Sequence, residues 1–158
     1  MHAERRPTYI QAALFPQALT LEAYRQTLPE SQRHETFRFL MVQWDIVKAR
    51  FLIQQSNKRL DTLRVRDAAR AYGLDTSQSI DSWAHVDETR AMSDEIDTII
   101  PVILALIQGD EGTRPKPILI DGLHRLYKAY REGKETIPCY ALTSEEEKQC
   151  RLWPSPPS

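Results

Sequence analysis

The chain is predicted to be an α+β protein, with an N-terminal helical subdomain packed on a small domain that contains a mixed sheet. Three observations predict this class. Apolar residues recur at three- and four-residue steps between residues 37 and 53, which is typical of a buried helix. The nearly continuous apolar run Ile99–Ile107 indicates a buried strand. The short run Ile118–Ile120 is followed by a helical pattern over Leu123–Arg131, which ends near Gly133, and then by a strand-like run over Ile137–Leu142.

The chain has 158 residues, enough for one compact core with a small additional helical part. We therefore predict three parts. These are a helical subdomain over residues 1–78, a sheet-containing domain over 79–152 and a flexible, proline-rich tail over 153–158.

Helices dominate the predicted N-terminal part. Leu19–Leu28 forms a short helix, with Thr20 as its cap and Glu22 in its first turn. The sequence Pro29-Glu-Ser-Gln caps a longer helix that carries two adjoining apolar stripes. Their members are Phe37, Leu40, Trp44, Val47 and Phe51 in the first stripe, and Phe39, Val42, Ile46, Ala49 and Ile53 in the second.

In the rest of the chain, turn-forming residues such as glycine and proline mark the ends of the predicted elements. Asp61–Tyr72 reads as another helix that stops at Gly73. Residues 79–88 read as a loop with a short strand, and Met92–Thr98 as a short helix. The Gly- and Pro-containing cluster over 108–115 is a turn, and Glu145–Leu152 adds a last amphipathic turn or two.

The formal net charge of the chain is −1, so the chain as a whole has no excess of positive charge with which to bind nucleic acid. The balance is uneven along the sequence. Residues 33–70 carry nine Lys/Arg and four Asp/Glu, whereas residues 71–112 carry one and nine. Two interpretations remain open: the basic region 33–70 binds nucleic acid or an acidic partner, or both regions are solvated helical faces.

The two cysteines, Cys139 and Cys150, are too few for a disulfide framework and lack metal-site spacing. Cys139 lies in an apolar run and is predicted to fill core. The sequence shows no secretory signal region and no apolar run of bilayer length. We expect a soluble, cytoplasmic protein with no membrane partner.

The most informative feature is the junction at which Ile118–Ile120 meets Asp121-Gly122 and then His124 and Arg125. A strand that ends in Asp-Gly and feeds a helix brings backbone N–H groups and the positive helix end to one point. The added basic side chains suit an anion, above all a phosphate. Lys128, one turn further on, either extends this site or is a solvated charge. The alternative for the junction is an ordinary turn in which His124 caps the helix.

The segment from about Trp83 to Leu142 resembles the ParB/sulfiredoxin superfamily. The resemblance is centred on Ile120-Asp-Gly-Leu-His-Arg125, and it continues through Leu126-Tyr-Lys-Ala-Tyr-Arg-Glu-Gly133 and Ile137-Pro-Cys-Tyr140. It covers a little over a third of the chain. The ordered arrangement of strand, motif, helix, glycine and Ile-Pro strand is more specific than the hexapeptide alone.

In that superfamily the motif cradles the phosphates of a nucleoside triphosphate such as ATP or CTP. The resemblance implies close backbone approach at Gly122, phosphate contacts from His124 and Arg125, and an Asp121 that orients the histidine or helps to hold Mg²⁺. A polar side chain from the preceding helix is also implied, and Thr89, Arg90 and Ser93 are the candidates. The candidate catalytic residues are Asp121, His124 and Arg125, and the candidate phosphate-binding residues are Gly122, Leu123, His124, Arg125 and Lys128.

Two departures limit what the resemblance implies. Sulfiredoxins place a cysteine directly before the His-Arg pair, whereas this chain has Leu123, so sulfinic-acid reduction by a thiol is excluded. Chromosome-partitioning ParB proteins carry a Gly-Glu-Arg-Arg type motif and a DNA-binding helical domain after the motif. This chain has neither after Arg125, which argues against CTP-gated DNA clamping.

A second motif, Val65–Leu74 followed by Thr76–Trp83, has helix-turn-helix spacing. Its second helix would carry Asp75 and Asp81 and no Lys or Arg, which argues against DNA reading. We therefore predict a nucleotide-binding protein with nucleotide-hydrolysing or nuclease-like activity. The alternative is a non-catalytic adaptor that binds a protein or nucleic acid through its helical half. The base preference and the oligomeric state are left open.

Overall fold

The computed structural model describes residues 19–75, 86–108 and 112–156, and it confirms an α+β fold. The described helices, in chain order, are α1 Leu21–Thr27, α2 Ile46–Gln55, α3 Val65–Ala71, α4 Glu88–Ala91, α5 Leu123–Arg131 and α6 Ser144–Cys150. The described strands are β1 Thr36–Phe39, β2 Val42–Asp45, β3 Asp61–Arg64, β4 Val102–Ile107, β5 Lys116–Asp121, β6 Thr136–Leu142 and β7 Arg151–Trp153.

The main sheet has the strand order β3-β6-β4-β5 and is mixed, because β4 and β6 run parallel while the other two pairs are antiparallel. Both of its faces are covered. On one face Ile103 and Ile120 pack with α2 and α6, and on the other Val102 and Leu119 pack with α3 and α5. Burial on both faces explains why β4 is apolar at successive positions instead of alternating.

The longer helix predicted from the two apolar stripes is wrong over its first half. Residues 36–45 form an antiparallel hairpin in which Phe37 is paired with Trp44, and the two rings are stacked with centroids 6.3 Å apart. Cross-strand aromatic pairs of this kind stabilise a hairpin. The helix begins only at Ile46, where the Asp45 carboxylate accepts a hydrogen bond from the Lys48 N–H at 3.0 Å.

Other predicted elements are confirmed or shifted. The first helix is confirmed, with Thr20 as its N-cap. The helix predicted over Asp61–Tyr72 is correct from Val65 onward, but Asp61–Arg64 is strand β3, because it pairs with β6. The short helix predicted over Met92–Thr98 is wrong, since those residues form turns and the helix α4, capped by Asp87, ends before them at Ala91. The last predicted helical turns, over Glu145–Leu152, are confirmed as α6 up to Cys150, but Arg151 and Leu152 belong to strand β7.

The predicted boundary near residue 78, and most of the loop with a short strand over 79–88, lie outside the described residues. The part that we predicted to be a helical subdomain carries three strands, of which β3 belongs to the main sheet and β2 pairs with β7. Trp153, which we placed in the tail, is the last residue of β7 and pairs with Gln43. Among the described helices none combines the length and apolarity needed to cross a bilayer.

Candidate functional site

A cleft of about 1020 Å³ lies where the β5–α5 junction faces α2 and the segment that leads from α4 into β4. Its volume is comparable to the largest common small-molecule sites, which reach roughly 1,000 Å³. Charged side chains of both signs line it together with apolar groups. The charged residues are Glu35, Arg50, Lys58, Arg90, Glu95, Asp97, Asp121 and Arg125, and the apolar or aromatic ones include Tyr24, Ile53, Ile96, Ile100, Ile103 and Tyr140.

Gly122 lines this cleft in a backbone conformation that favours glycine. Its φ of +105° lies in the left-handed region, which glycine adopts without penalty. A Cβ built at this position would lie 2.5 Å from Cγ1 of the buried Val102 on β4. The backbone therefore lies directly against the central sheet here, and a residue with a Cβ cannot occupy this position without displacing Val102.

The start of α5 presents uncapped donors to the cleft. Gly122 is the N-cap and has no side chain that can accept a hydrogen bond, while its carbonyl accepts from the Leu126 N–H at 3.0 Å. The backbone N–H groups of Leu123, His124 and Arg125 precede that first helical bond, and all three residues line the cleft. Free N–H groups and the positive end of the helix dipole at such an N-terminus favour a negative charge nearby.

Asp121 is held between two arginines. Its Oδ2 accepts hydrogen bonds from Arg50 Nε at 3.2 Å and Nη2 at 3.0 Å, and it lies 3.2 Å from Arg125 Nη2. Arg50 also donates to Glu35 Oε2 at 2.8 Å. Burial lowers the pKa of the Arg50 guanidinium, but its ion pairs with Asp121 and Glu35 outweigh this and raise the pKa above its usual value. Asp121 therefore orders the two arginines, and the described contacts do not join it to His124.

Arg125 is bound to the cleft wall. Its Nη1 donates to the carbonyl oxygens of Pro101 at 2.6 Å and Ile100 at 3.1 Å, and only 13% of its side chain is exposed. A guanidinium has five N–H groups in a fixed fork. The Nη1 group of Arg125 is hydrogen-bonded to two carbonyl oxygens, and its Nη2 forms an ion pair with Asp121. Arg125 therefore acts on a ligand in the cleft chiefly through its charge.

Lys128 is not brought together with the other predicted ligands. Its ammonium donates to the carbonyl oxygens of Ile96 at 2.8 Å and Ser93 at 2.9 Å, and it does not line the cleft. Its role in the described structure is to hold the segment that follows α4.

His124 and Arg90 both line the cleft, and they are close enough for the charge of Arg90 to act on the imidazole. Burial lowers the pKa of His124, the nearby charge of Arg90 lowers it further, and Asp87 partly opposes them. These effects favour the neutral form of the His124 imidazole over the charged form. Arg90 is exposed, and no carboxylate of the described residues forms an ion pair with it. Of the upstream candidates Thr89, Arg90 and Ser93, only Arg90 lines the cleft.

Sequence reasoning missed Arg50, which lies 71 residues before Asp121 in the chain. The only local signal is that Arg50 places a charge between the apolar residues Ala49 and Phe51. Such a charge needs a partner when it is drawn towards the core. Its partner could not be named without the fold.

In the described part of the chain no three His, Cys, Asp or Glu side chains are grouped so that they could hold a metal ion. No protein-family model matches the chain, and no curated protein or solved structure matches it either. Membership of the ParB/sulfiredoxin superfamily therefore stays a prediction from the motif.

Proposed function

We propose that the cleft binds the phosphate groups of a nucleotide at the N-terminus of α5. The observation that carries the proposal is the set of uncapped N–H groups after Gly122, which open into a cleft of about 1020 Å³ beside Arg90 and His124. The backbone groups accept an anion without any rearrangement, and Arg90 supplies a charge that the described carboxylates leave unpaired.

The magnitudes indicate what else the ligand needs. A helix end contributes about 0.3–1 kcal/mol to anion binding, and each charge-assisted hydrogen bond roughly 1.5–3 kcal/mol. Micromolar affinity requires about 8 kcal/mol. The helix end and one contact from Arg90 together supply about 2–4 kcal/mol, which falls short of this value, so the ribose or base must also bind. The apolar and aromatic lining of the cleft, which includes Tyr24 and Tyr140, is suited to that part of the ligand.

Each charged group then has a distinct task. Arg90 and the α5 backbone hold the phosphate oxygens, while the Asp121 carboxylate keeps the Arg50 and Arg125 side chains in fixed positions behind them. Mg²⁺ would arrive with the nucleotide, because it is usually bound through one or two carboxylates plus phosphates. Glu95 and Asp97 line the cleft and are the carboxylates that this chain offers.

Hydrolysis of the nucleotide, or of a phosphodiester, is the reaction that this arrangement would support. The neutral His124 can accept a proton from an attacking water, and the positive groups would stabilise the charge that develops on phosphate. A non-catalytic adaptor is the second candidate. It is favoured by the fact that Asp121, the carboxylate of the motif, is already paired with two arginines. Phosphate release measured alongside binding separates the two.

Arg90→Ala is expected to weaken binding of ATP and CTP roughly tenfold, because one charge-assisted contact is lost. Arg90 is exposed, so the fold should be retained. Isothermal calorimetry with Mg²⁺ and each nucleotide, and separately with pyrophosphate, checks this. Arg66→Ala is the matched control, because Arg66 is an exposed arginine on α3 that does not line the cleft. Equal loss in both variants, or no nucleotide binding by the parent, would contradict the proposal.

Nucleotide affinity is also expected to rise as the pH falls from about 8 to about 6. Burial and then Arg90 hold the pKa of the free His124 below its usual value, and a bound phosphate would raise it. Binding therefore takes up a proton, and acid favours the complex. The terminal phosphate itself titrates near pH 6, at about pKa 6. The measured quantity is thus the ratio of the parent affinity to that of His124→Asn, in which the ligand's own titration cancels. A ratio that does not change with pH would rule out a contact between His124 and phosphate.

A further inference from the structure

The segment between α4 and β4 is fixed by three cationic side chains from α5 and the turn that follows it. Lys128 donates to the carbonyl oxygens of Ser93 and Ile96, and Arg125 donates to that of Ile100. Lys134 donates to the hydroxyl of Thr98, which is buried. Contacts at four points within eight residues leave this segment little freedom, although it has no regular secondary structure beyond turns.

Two adjacent isoleucines project from this fixed segment. Ile99 is 76% exposed and Ile100 is 54% exposed. The Ile99 N–H donates to Asp97 Oδ1 at 2.9 Å, so the turn that presents them is itself ordered by a hydrogen bond. Single exposed apolar residues are common on protein surfaces, but an adjacent pair on a segment held in place by three cationic side chains is a preformed apolar contact.

The surroundings of this pair are acidic. Residues 86–100 carry five carboxylates and one arginine, and all six of these charged residues are exposed. The carboxylates are Asp87, Glu88, Asp94, Glu95 and Asp97. Such a surface repels nucleic acid and anionic lipid, and it attracts a cationic partner through complementary charge.

We propose that residues 86–100 form a docking surface for a basic amphipathic helix of a partner protein. The apolar stripe of that helix would cover Ile99 and Ile100, and its Lys or Arg side chains would face the surrounding carboxylates. Amphipathic helices bind in this way, with apolar anchors at the centre and charges around them. The docking surface adjoins the proposed nucleotide site, because Arg90, Glu95, Asp97 and Ile100 also line the cleft, whereas Ile99 does not. The proposal goes beyond nucleotide binding, since it does not use the α5 N-terminus.

The test uses the full chain and a fluorescein-labelled synthetic helix of leucine and lysine, about 18 residues long, or about five turns. A helix of the same pattern with glutamate in place of lysine is the charge control. Fluorescence anisotropy should show saturable binding of the lysine helix that weakens as salt is added, and much weaker binding of the glutamate helix. Ile99→Ser combined with Ile100→Ser should weaken the binding roughly tenfold or more, because the central anchors are removed.

The matched control is Leu40→Ser combined with Met41→Ser. These residues form another adjacent, highly exposed apolar pair, at the tip of the β1–β2 hairpin. Binding that falls equally in both double variants, or that is equal for the two helices, would overturn the proposal. Analytical sedimentation of the parent protein measures whether the chain associates with itself. Self-association that disappears in the isoleucine variant would show that a second copy of this chain occupies the surface, which would also overturn it.

Discussion

Replacing Gly122 by alanine is expected to lower the free energy of unfolding by about 2–5 kcal/mol. A non-glycine residue in the left-handed region costs about 1–2 kcal/mol, and overpacking a core costs about 1–3 kcal/mol. Both penalties apply here, because φ is +105° and the new Cβ would lie 2.5 Å from Cγ1 of Val102. Val102 is fully buried on the central strand β4, so it cannot move aside without disturbing the sheet.

Urea unfolding monitored by tryptophan fluorescence measures this change, and Gly133→Ala is the matched control. Gly133 ends α5 with a φ of +71°, but a Cβ there would have no neighbour within 4 Å. Only the conformational cost of about 1–2 kcal/mol applies to it. The difference between the two variants therefore isolates the contact with Val102. Losses of equal size would show that the β5–α5 junction is not packed against β4 as described.

Replacing Glu147 by alanine is expected to lower the free energy of unfolding by about 3–5 kcal/mol, which is typical of removing one partner of a buried ion pair. The Glu147 side chain is 1% exposed. Its Oε1 accepts from Trp44 Nε1 at 2.7 Å and from Arg151 Nε at 2.8 Å, and its Oε2 accepts from Arg151 Nη2 at 2.7 Å. Without the carboxylate, a buried indole N–H and a largely buried guanidinium lose their acceptor.

Glu145→Ala is the control for this change, because Glu145 lies on the same helix with 80% of its side chain exposed and a single surface ion pair with Lys148. Its loss should change stability by no more than about 0.5 kcal/mol. The same unfolding measurement applies to both variants. A small effect of Glu147→Ala would mean that water or another group replaces the carboxylate. The link that this residue makes between the β1–β2 hairpin and α6 would then be unimportant for stability.

Elements whose ends are set by residues nearby in the sequence were predicted correctly, whereas elements that depend on pairing with another segment were not. The helix predicted over Leu123–Arg131 has those bounds in the structure, because its start and its end are both set within a few residues. The predicted end near Gly133 is confirmed by a φ of +71° and by the hydrogen bond from the Lys134 N–H to the Ala129 carbonyl. The hairpin over residues 36–45 was missed because its aromatic residues also fit helical spacing, and only pairing between strands decides between the two.

In the candidate site, too, some residues could be predicted from the local sequence, while others are placed there only by the fold. Gly122, His124 and Arg125 could be predicted because a strand end, a glycine and a helix start place neighbouring residues together whatever the rest of the chain does. The sequence by itself thus determined the α+β class, the β5–α5 junction and the uncapped helix end that forms the centre of the proposed site.

Only the tertiary structure decided which charges face that helix end. It brought Arg50 to Asp121 across 71 residues and placed Arg90 beside His124. It also turned Lys128 towards the carbonyl oxygens of Ser93 and Ile96, away from the cleft. The physical reason is that long charged side chains take the nearest partner that the packed fold supplies, since burying an unpaired charge costs more than any local preference can offset.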